Sequence, residues 1–189
     1  MTDGQRWMTY GDVPVAVLER RWPEAPALPY RKTFRLRPGE AWDEADVSTS
    51  LRERYTLVDG EVVPVGVAIA REAVEDGATW AFATETFALR VVLLGPDLVC
   101  AAPEGAVAQL LGELREANGG GLGGLPDVIG GLPGGGVLMR EAHNVASRDR
   151  LGSVHHEFAR RARDLLGDRL DLAVVEWGGA AAPRAAVAS

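Results

Sequence analysis

The 189-residue chain has one cysteine, one lysine and no apolar run of membrane-spanning length. A lone cysteine, Cys100, excludes an internal disulfide and makes the reducing cytoplasm the expected compartment. In its apolar surroundings that thiol is expected to be buried and inert. Without about 20 consecutive apolar residues there is no candidate membrane helix, and the polar start MTDGQRW is not that of a signal peptide. Positive net charge is also lacking: the formal value is −7 at pH 7. A protein that coats nucleic acid through bulk charge would be basic, so any such contact has to be local, through clustered arginines. Lys32 is the one lysine among 20 basic residues, so no other position carries an ammonium side chain. With 47% hydrophobic and 25% charged residues the composition is that of a globular protein. The length suits one domain, or a small domain with an equally small partner.

Residues 1–100 are expected to form a β-rich region without a catalytic constellation. Pro14, Pro23, Pro26 and Pro29 lie near its start, and WPEAPALP reads as extended, irregular chain. KTFRLRP alternates, with Phe34 and Leu36 on one face, as a half-buried strand should. In RYTLVDGEVVPV two β-rich runs flank Asp59-Gly60, the dipeptide of a type I′ hairpin turn, and Pro64 puts the second run at a sheet edge. VAIAREAVEDG is expected to be a short helix ending near Gly77. The stretch 79–103 supplies two or three strands, with a turn at Gly95-Pro96-Asp97.

The pattern changes near Pro103, where a second region, 101–178, is expected to begin. EGAVAQLLGELREANGG has Val107, Leu110, Leu111 and Leu114 at helical spacing and stops at a glycine run. SVHHEFARRARDLLG places Val154, Phe158, Ala162, Leu165 and Leu166 on one stripe, with Ser153 as N-cap and Gly167 as the C′ residue. LDLAVVEW reads as a last strand, and residues 179–189 as a disordered tail. Between the helices lies GGLPDVIGGLPGGGVLMREAHN, residues 123–144, in which GGLP occurs twice. Gly119, Gly121 and Gly124 match G-x-G-x-x-G but follow a helix, not a strand, which removes the context a dinucleotide site requires.

A flexible linker has no use for Asp127, Glu141, His143 or the apolar run Val137–Met139. Folded as a hairpin centred on Gly134, the segment sets Ile129 opposite Met139, Val128 opposite Arg140, and Asp127 opposite Glu141. Directly opposed residues have Cβ atoms roughly 4.5–5.5 Å apart. Alternation puts Glu141 and His143 on one face and turns Ala142 away. Two such carboxylates repel, and one tends to take up a proton, unless a hard divalent cation accepts an oxygen from each. Alternatively, both splay into water on an exposed hairpin.

The order of residue types over 104–177 resembles the VRR-NUC branch of the PD-(D/E)xK nuclease superfamily. Gly124, Pro126 and Asp127 match its G-x-PD element, and Glu141 matches the acidic residue of its E-x-K strand. Asp149-Arg150-Leu151 matches its D-R-L stretch, and His155 falls where a helix glutamine usually lies. His143 replaces the lysine of E-x-K. The strand usually found between the first helix and PD has no counterpart here beyond NGGGLGG.

The resemblance implies an α+β fold: a restriction-endonuclease-like core of helix, β-hairpin, helix and strand in the C-terminal half, behind the β-rich N-terminal region. It also implies metal-dependent hydrolysis of phosphodiester bonds in DNA, or in RNA. Asp127, Glu141 and the backbone carbonyl of Ala142 would hold Mg²⁺ or Mn²⁺, which lowers the pKa of a bound water. Asp127, Glu141 and His143 would form the catalytic set. Imidazole, unlike ammonium, is largely uncharged near neutrality. A first-helix acid often completes such sites. Glu104 is the candidate, with a helix-dipole role as its alternative, and Glu113 lies nearer the polar side.

Arg148, Arg150, Arg160, Arg161 and Arg163 could form a local phosphate-binding patch, and Arg148, Arg150, Arg160 and Arg163, with His155, are the candidates for contacting nucleic acid, although arginine-rich helix faces are often simply solvated. His156 is expected at the surface. A different class of reading keeps the fold but loses catalysis, leaving a binding or regulatory subunit. A third makes the chain structural, its N-terminal sheet recruiting a protein partner.

Overall fold

A Gly-Asp pair makes the first turn of the chain. Gly11 and Asp12 both lie at positive φ, 62° and 63°, and join β1 (Arg6–Tyr10) to β2 (Val13–Glu19) as an antiparallel hairpin. This hairpin is absent from the sequence-based expectations, although Gly-Asp between two β-rich runs is a recognised signal. Pro14 is tolerated because β2 meets its second neighbour only from Ala16 onward. The computed structural model describes residues 5–24, 31–34, 55–84, 91–95, 98–99, 105–146 and 151–178. Leu36, Cys100, Glu104, Arg148, Asp149, Arg150, the 96–97 turn, most of WPEAPALP and the 179–189 tail lie outside the described residues.

The strand β3 (Arg31–Phe34) occurs where alternation predicts it. Asp59 and Gly60, with φ of 49° and 84°, form the expected turn between β4 (Tyr55–Val58) and β5 (Glu61–Pro64). The helix α1 (Val65–Glu75) follows directly, and Gly77 sits just beyond it at φ 107°. Next come β6 (Trp80–Ala83), β7 (Val91–Gly95) and β8 (Leu98–Val99). After α2 (Gly105–Ala117), β9 (Val128–Leu132) and β10 (Gly136–Asn144) form the second hairpin. The chain then forms α3 (Ser153–Leu166) and β11 (Leu170–Trp177).

Six strands make one mixed sheet in the order β1-β2-β11-β10-β9-β6. β10 and β11 are parallel, as are β11 and β2, whereas β9 is antiparallel to both β10 and β6. The sheet therefore crosses residue 100, where the change in sequence character suggested a boundary. Strands from both sides of that point hydrogen-bond to one another. β6, from earlier in the chain after α1, occupies the outer flank of β9.

Alternation along β10 sends neighbouring residues to opposite faces. Val137 and Met139 join Leu110, Leu111 and Leu114 of α2 and Phe158, Ala159, Ala162 and Leu166 of α3 in one apolar cluster. Leu138 joins Val65, Ile69 and Ala73 of α1 in another. The protein is thus α+β, with helices on both faces of its main sheet. The α3 stripe differs from expectation at its ends, because Val154 and Leu165 are exposed and Ala159 is fully buried. Gly152, not Ser153, is the N-cap residue, and Gly167 closes the helix at φ 56°. Among the described residues no helix is long and apolar enough to cross a membrane.

Candidate functional site

The β9–β10 register is the one that a hairpin centred on Gly134 requires: Met139 faces Ile129 and Arg140 faces Val128. The reversal is shorter than the glycine content suggested. Gly130 and Gly131 belong to β9, and the turn is Pro133–Gly135, with Gly134 and Gly135 at φ 77° and 83°. Continued by one step beyond the paired residues, this register would set Asp127 across from Glu141. The strand is locked there by the backbone, since the Ala142 N–H donates to Asp127 Oδ2 at 2.7 Å. Thr84 fixes the same point from β6's end. Its N–H donates to the Asp127 carbonyl at 2.8 Å, and its hydroxyl donates to the Pro126 carbonyl.

Glu141 and His143 lie on the α3 side of β10, the side of Val137 and Met139. Glu141 is 6% exposed, the one charged residue in the buried class among the described residues. A buried charge requires partners, and one comes from the first hairpin. The fully buried Tyr10 donates its hydroxyl to Glu141 Oε2 at 3.3 Å. Burial pushes the Tyr10 phenol far above its ordinary pKa, and the charges of Glu141 and Asp127 push it in the same direction. The Tyr10 ring meets His156 edge-on, with centroids 5.7 Å apart. The adjacent Gly11 N–H donates to His156 Nδ1 at 3.2 Å. His156 is therefore engaged with the hairpin and is not the plain surface residue expected.

The His143 position opens onto a second acidic group. Parallel pairing sets His143 beside Glu176 of β11, with Nδ1 3.6 Å from Glu176 Oε1. Arg6 holds that carboxylate at 2.6 Å and reaches Glu19 at 2.7 Å. These hydrogen bonds, the one to Glu19 first, raise the Arg6 pKa. Burial lowers the pKa of His155, with His156 adding to the effect, and His155 Nδ1 is buried without a hydrogen-bond partner.

The expected arginine patch is partly neutralised. Arg161 pairs with Glu157 and donates to Asn118 Oδ1 at 3.0 Å. Arg163 is half-buried, its Nε shielded without a partner. Arg160 is exposed and only loosely placed, 3.8 Å from Asp12 and 4.0 Å from Glu157. A cavity of about 160 Å³ lined by Ile69, Glu72, Leu138, Arg140 and Asp171 lies on the α1 side of the sheet, away from these groups.

Among the described residues no three His, Cys, Asp or Glu side chains are grouped to hold a metal ion. Two carboxylates, and backbone oxygens beside them, are a donor set of the hard kind. Mg²⁺ is commonly held by one or two carboxylates, with water and substrate phosphate filling the other positions. Tyr10, Arg6 and Glu176 were not among the expected site residues. The Gly-Asp turn was the available signal for the first two; Glu176 was visible only as one of two acids in an otherwise apolar strand. No family model, curated protein or solved structure matches this chain.

Proposed function

We propose that the protein is a metal-dependent nuclease that hydrolyses phosphodiester bonds in DNA, working in the cytoplasm. The observation that carries this reading is the bond from Ala142 N–H to the Asp127 carboxylate, which ties Asp127 to the residue next to Glu141 at the end of one hairpin. The sheet neighbours β6, β9, β10 and β11, with α1 and α3 on opposite faces, support it: in a restriction-endonuclease-like core β6 would stand for the strand before PD, although β7, β8 and α2 intervene in the chain between β6 and β9. Asp127, Glu141 and the Ala142 carbonyl would hold Mg²⁺ or Mn²⁺. When bound, the ion polarises the phosphate and lowers the pKa of a coordinated water. His143 accepts the proton of the attacking water at the nitrogen turned away from Glu176, and the Glu176 carboxylate stabilises the imidazolium that forms. Arg160 and His155, on α3, are the described groups best placed to meet a phosphate backbone.

The test is incubation of single-stranded, duplex and branched DNA with Mg²⁺ or Mn²⁺, alongside Asp127→Asn and Glu141→Gln. Cleavage by the wild type that either substitution abolishes supports the reading; cleavage that survives both sinks it. The second reading, a nuclease-like binding or regulatory module without catalysis, is favoured by two observations: His143 stands where lysine is expected, and Tyr10 already engages Glu141. His143→Ala separates the two readings. A general base removed costs on the order of 10²–10⁴ in rate. An inert wild type, with cleavage appearing in His143→Lys, would establish the second.

A further inference from the structure

The N-terminal hairpin reaches the candidate site with one side chain. Tyr10 ends β1, is fully buried and donates to Glu141 Oε2 at 3.3 Å. Its ring is pinned on one side by His156, whose Nδ1 accepts the next backbone N–H, from Gly11. Gly11 itself has no room for a side chain. A Cβ there would lie 2.7 Å from Ala159 Cβ and 2.8 Å from the Arg160 backbone nitrogen. The hairpin turn is thus seated directly on α3, and the phenol has one place to be.

On the opposite side of the pair, the Ala142 N–H holds one oxygen of Asp127 in the same manner. Each carboxylate is therefore oriented by a hydrogen bond from a group that does not itself face a ligand. Partners behind metal ligands fix carboxylate orientation, and losing one typically costs about 10–100-fold in metal affinity. We infer that Tyr10 is a positioning residue that orients the Glu141 carboxylate as a divalent-cation ligand, making the N-terminal hairpin a working part of the site. This inference rests on the metal-site reading of Asp127 and Glu141.

The experiment titrates Mn²⁺ into the full chain, with free Mn²⁺ followed by electron paramagnetic resonance, for the wild type, Tyr10→Phe and Asp127→Asn. Tyr10→Phe keeps the ring and its packing against His156 and removes only the hydroxyl. The expected result is saturable binding by the wild type, loss in Asp127→Asn, and at least about 10-fold weaker binding in Tyr10→Phe. Wild-type affinity in Tyr10→Phe overturns the inference while leaving the metal site standing. A wild type that binds no Mn²⁺ overturns both.

If Tyr10→Phe does not fold, the wild type carries the test, grown with 3-fluorotyrosine. The chain has three tyrosines, and single Tyr30→Phe and Tyr55→Phe variants assign the Tyr10 fluorine resonance by elimination. That resonance is expected to move as Mg²⁺ is added, in step with occupancy of the site. A resonance that stays put at saturating Mg²⁺ overturns the inference.

Discussion

Tyr10 shows how one residue ties stability to the site. Its phenol is held neutral in the fold by burial and by the neighbouring carboxylates, so its pKa is raised above the unfolded value of about 10. The stability it contributes is complete below about pH 10 and is lost as the pH rises further, because the unfolded chain releases a proton that the folded chain retains. The metal-free wild type should therefore lose about 1.4 kcal/mol per pH unit beyond roughly 10 from this group. Tyr10→Phe should remove that part of the slope in urea melts between pH 9 and about 11; identical slopes would show that Tyr10 ionises freely. A second residue-scale constraint explains part of the glycine-rich stretch. A Cβ on Gly131 would fall 2.2 Å from Trp80 Nε1, since the indole lies across this position from the paired strand. Gly131→Ala should cost about 1–3 kcal/mol by displacing that ring, read as a lower urea midpoint. An unchanged midpoint would mean that the edge strand gives way freely.

At the level of elements, what could be read in advance was what local chemistry dictates. Asp-Gly specifies its own turn, and the β9–β10 register follows from where Gly134 permits the reversal, so the facing of Ile129 with Met139 and of Val128 with Arg140 was legible. The α3 limits were legible from Gly167, though its N-cap was displaced by one residue and Val154 and Leu165 proved exposed. What was not legible were the pairings without a local signal. No turn residue announces that β11 lies parallel to both β10 and β2, and only those pairings bring Glu176 beside His143 and Arg6 beside Glu176. The arginines of α3 show the same limit. Helical spacing groups them, but Glu157 and Asn118 take up Arg161 and partial burial takes up much of Arg163. Arg160 should therefore carry most of any DNA affinity from this face. Arg160→Ala should lower the salt slope of binding by about one unit, while Arg163→Ala should change it less. Equal effects of the two would place the phosphate contacts elsewhere.

Across the whole molecule, the change in composition near Pro103 does not divide the main sheet. β9 and β10 lie in a sheet that strands from before residue 100 flank on both sides: β6 flanks β9, while β11 beside β10 is in turn flanked by β2. Both apolar clusters are shared likewise. Tyr10 and Val15 pack with α2 and α3, and Val65, Ile69 and Ala73 of α1 cover Val128, Leu138 and Val175. A fragment of residues 101–189 retains Asp127, Glu141 and His143, but it uncovers one face of the hairpin and opens two edges of the sheet. Exposed edges and apolar faces of that size lead to aggregation or unfolding. The fragment also lacks Tyr10, leaving Glu141 without the hydroxyl that meets it in the fold. The expected outcome is a fragment with no cooperative thermal transition by circular dichroism and no saturable Mn²⁺ binding. Co-expression with residues 1–100 should restore both, because the missing strands pair in register without needing a covalent link. A fragment that melts cooperatively and binds Mn²⁺ as tightly as the full chain would show that the C-terminal half is a domain in its own right.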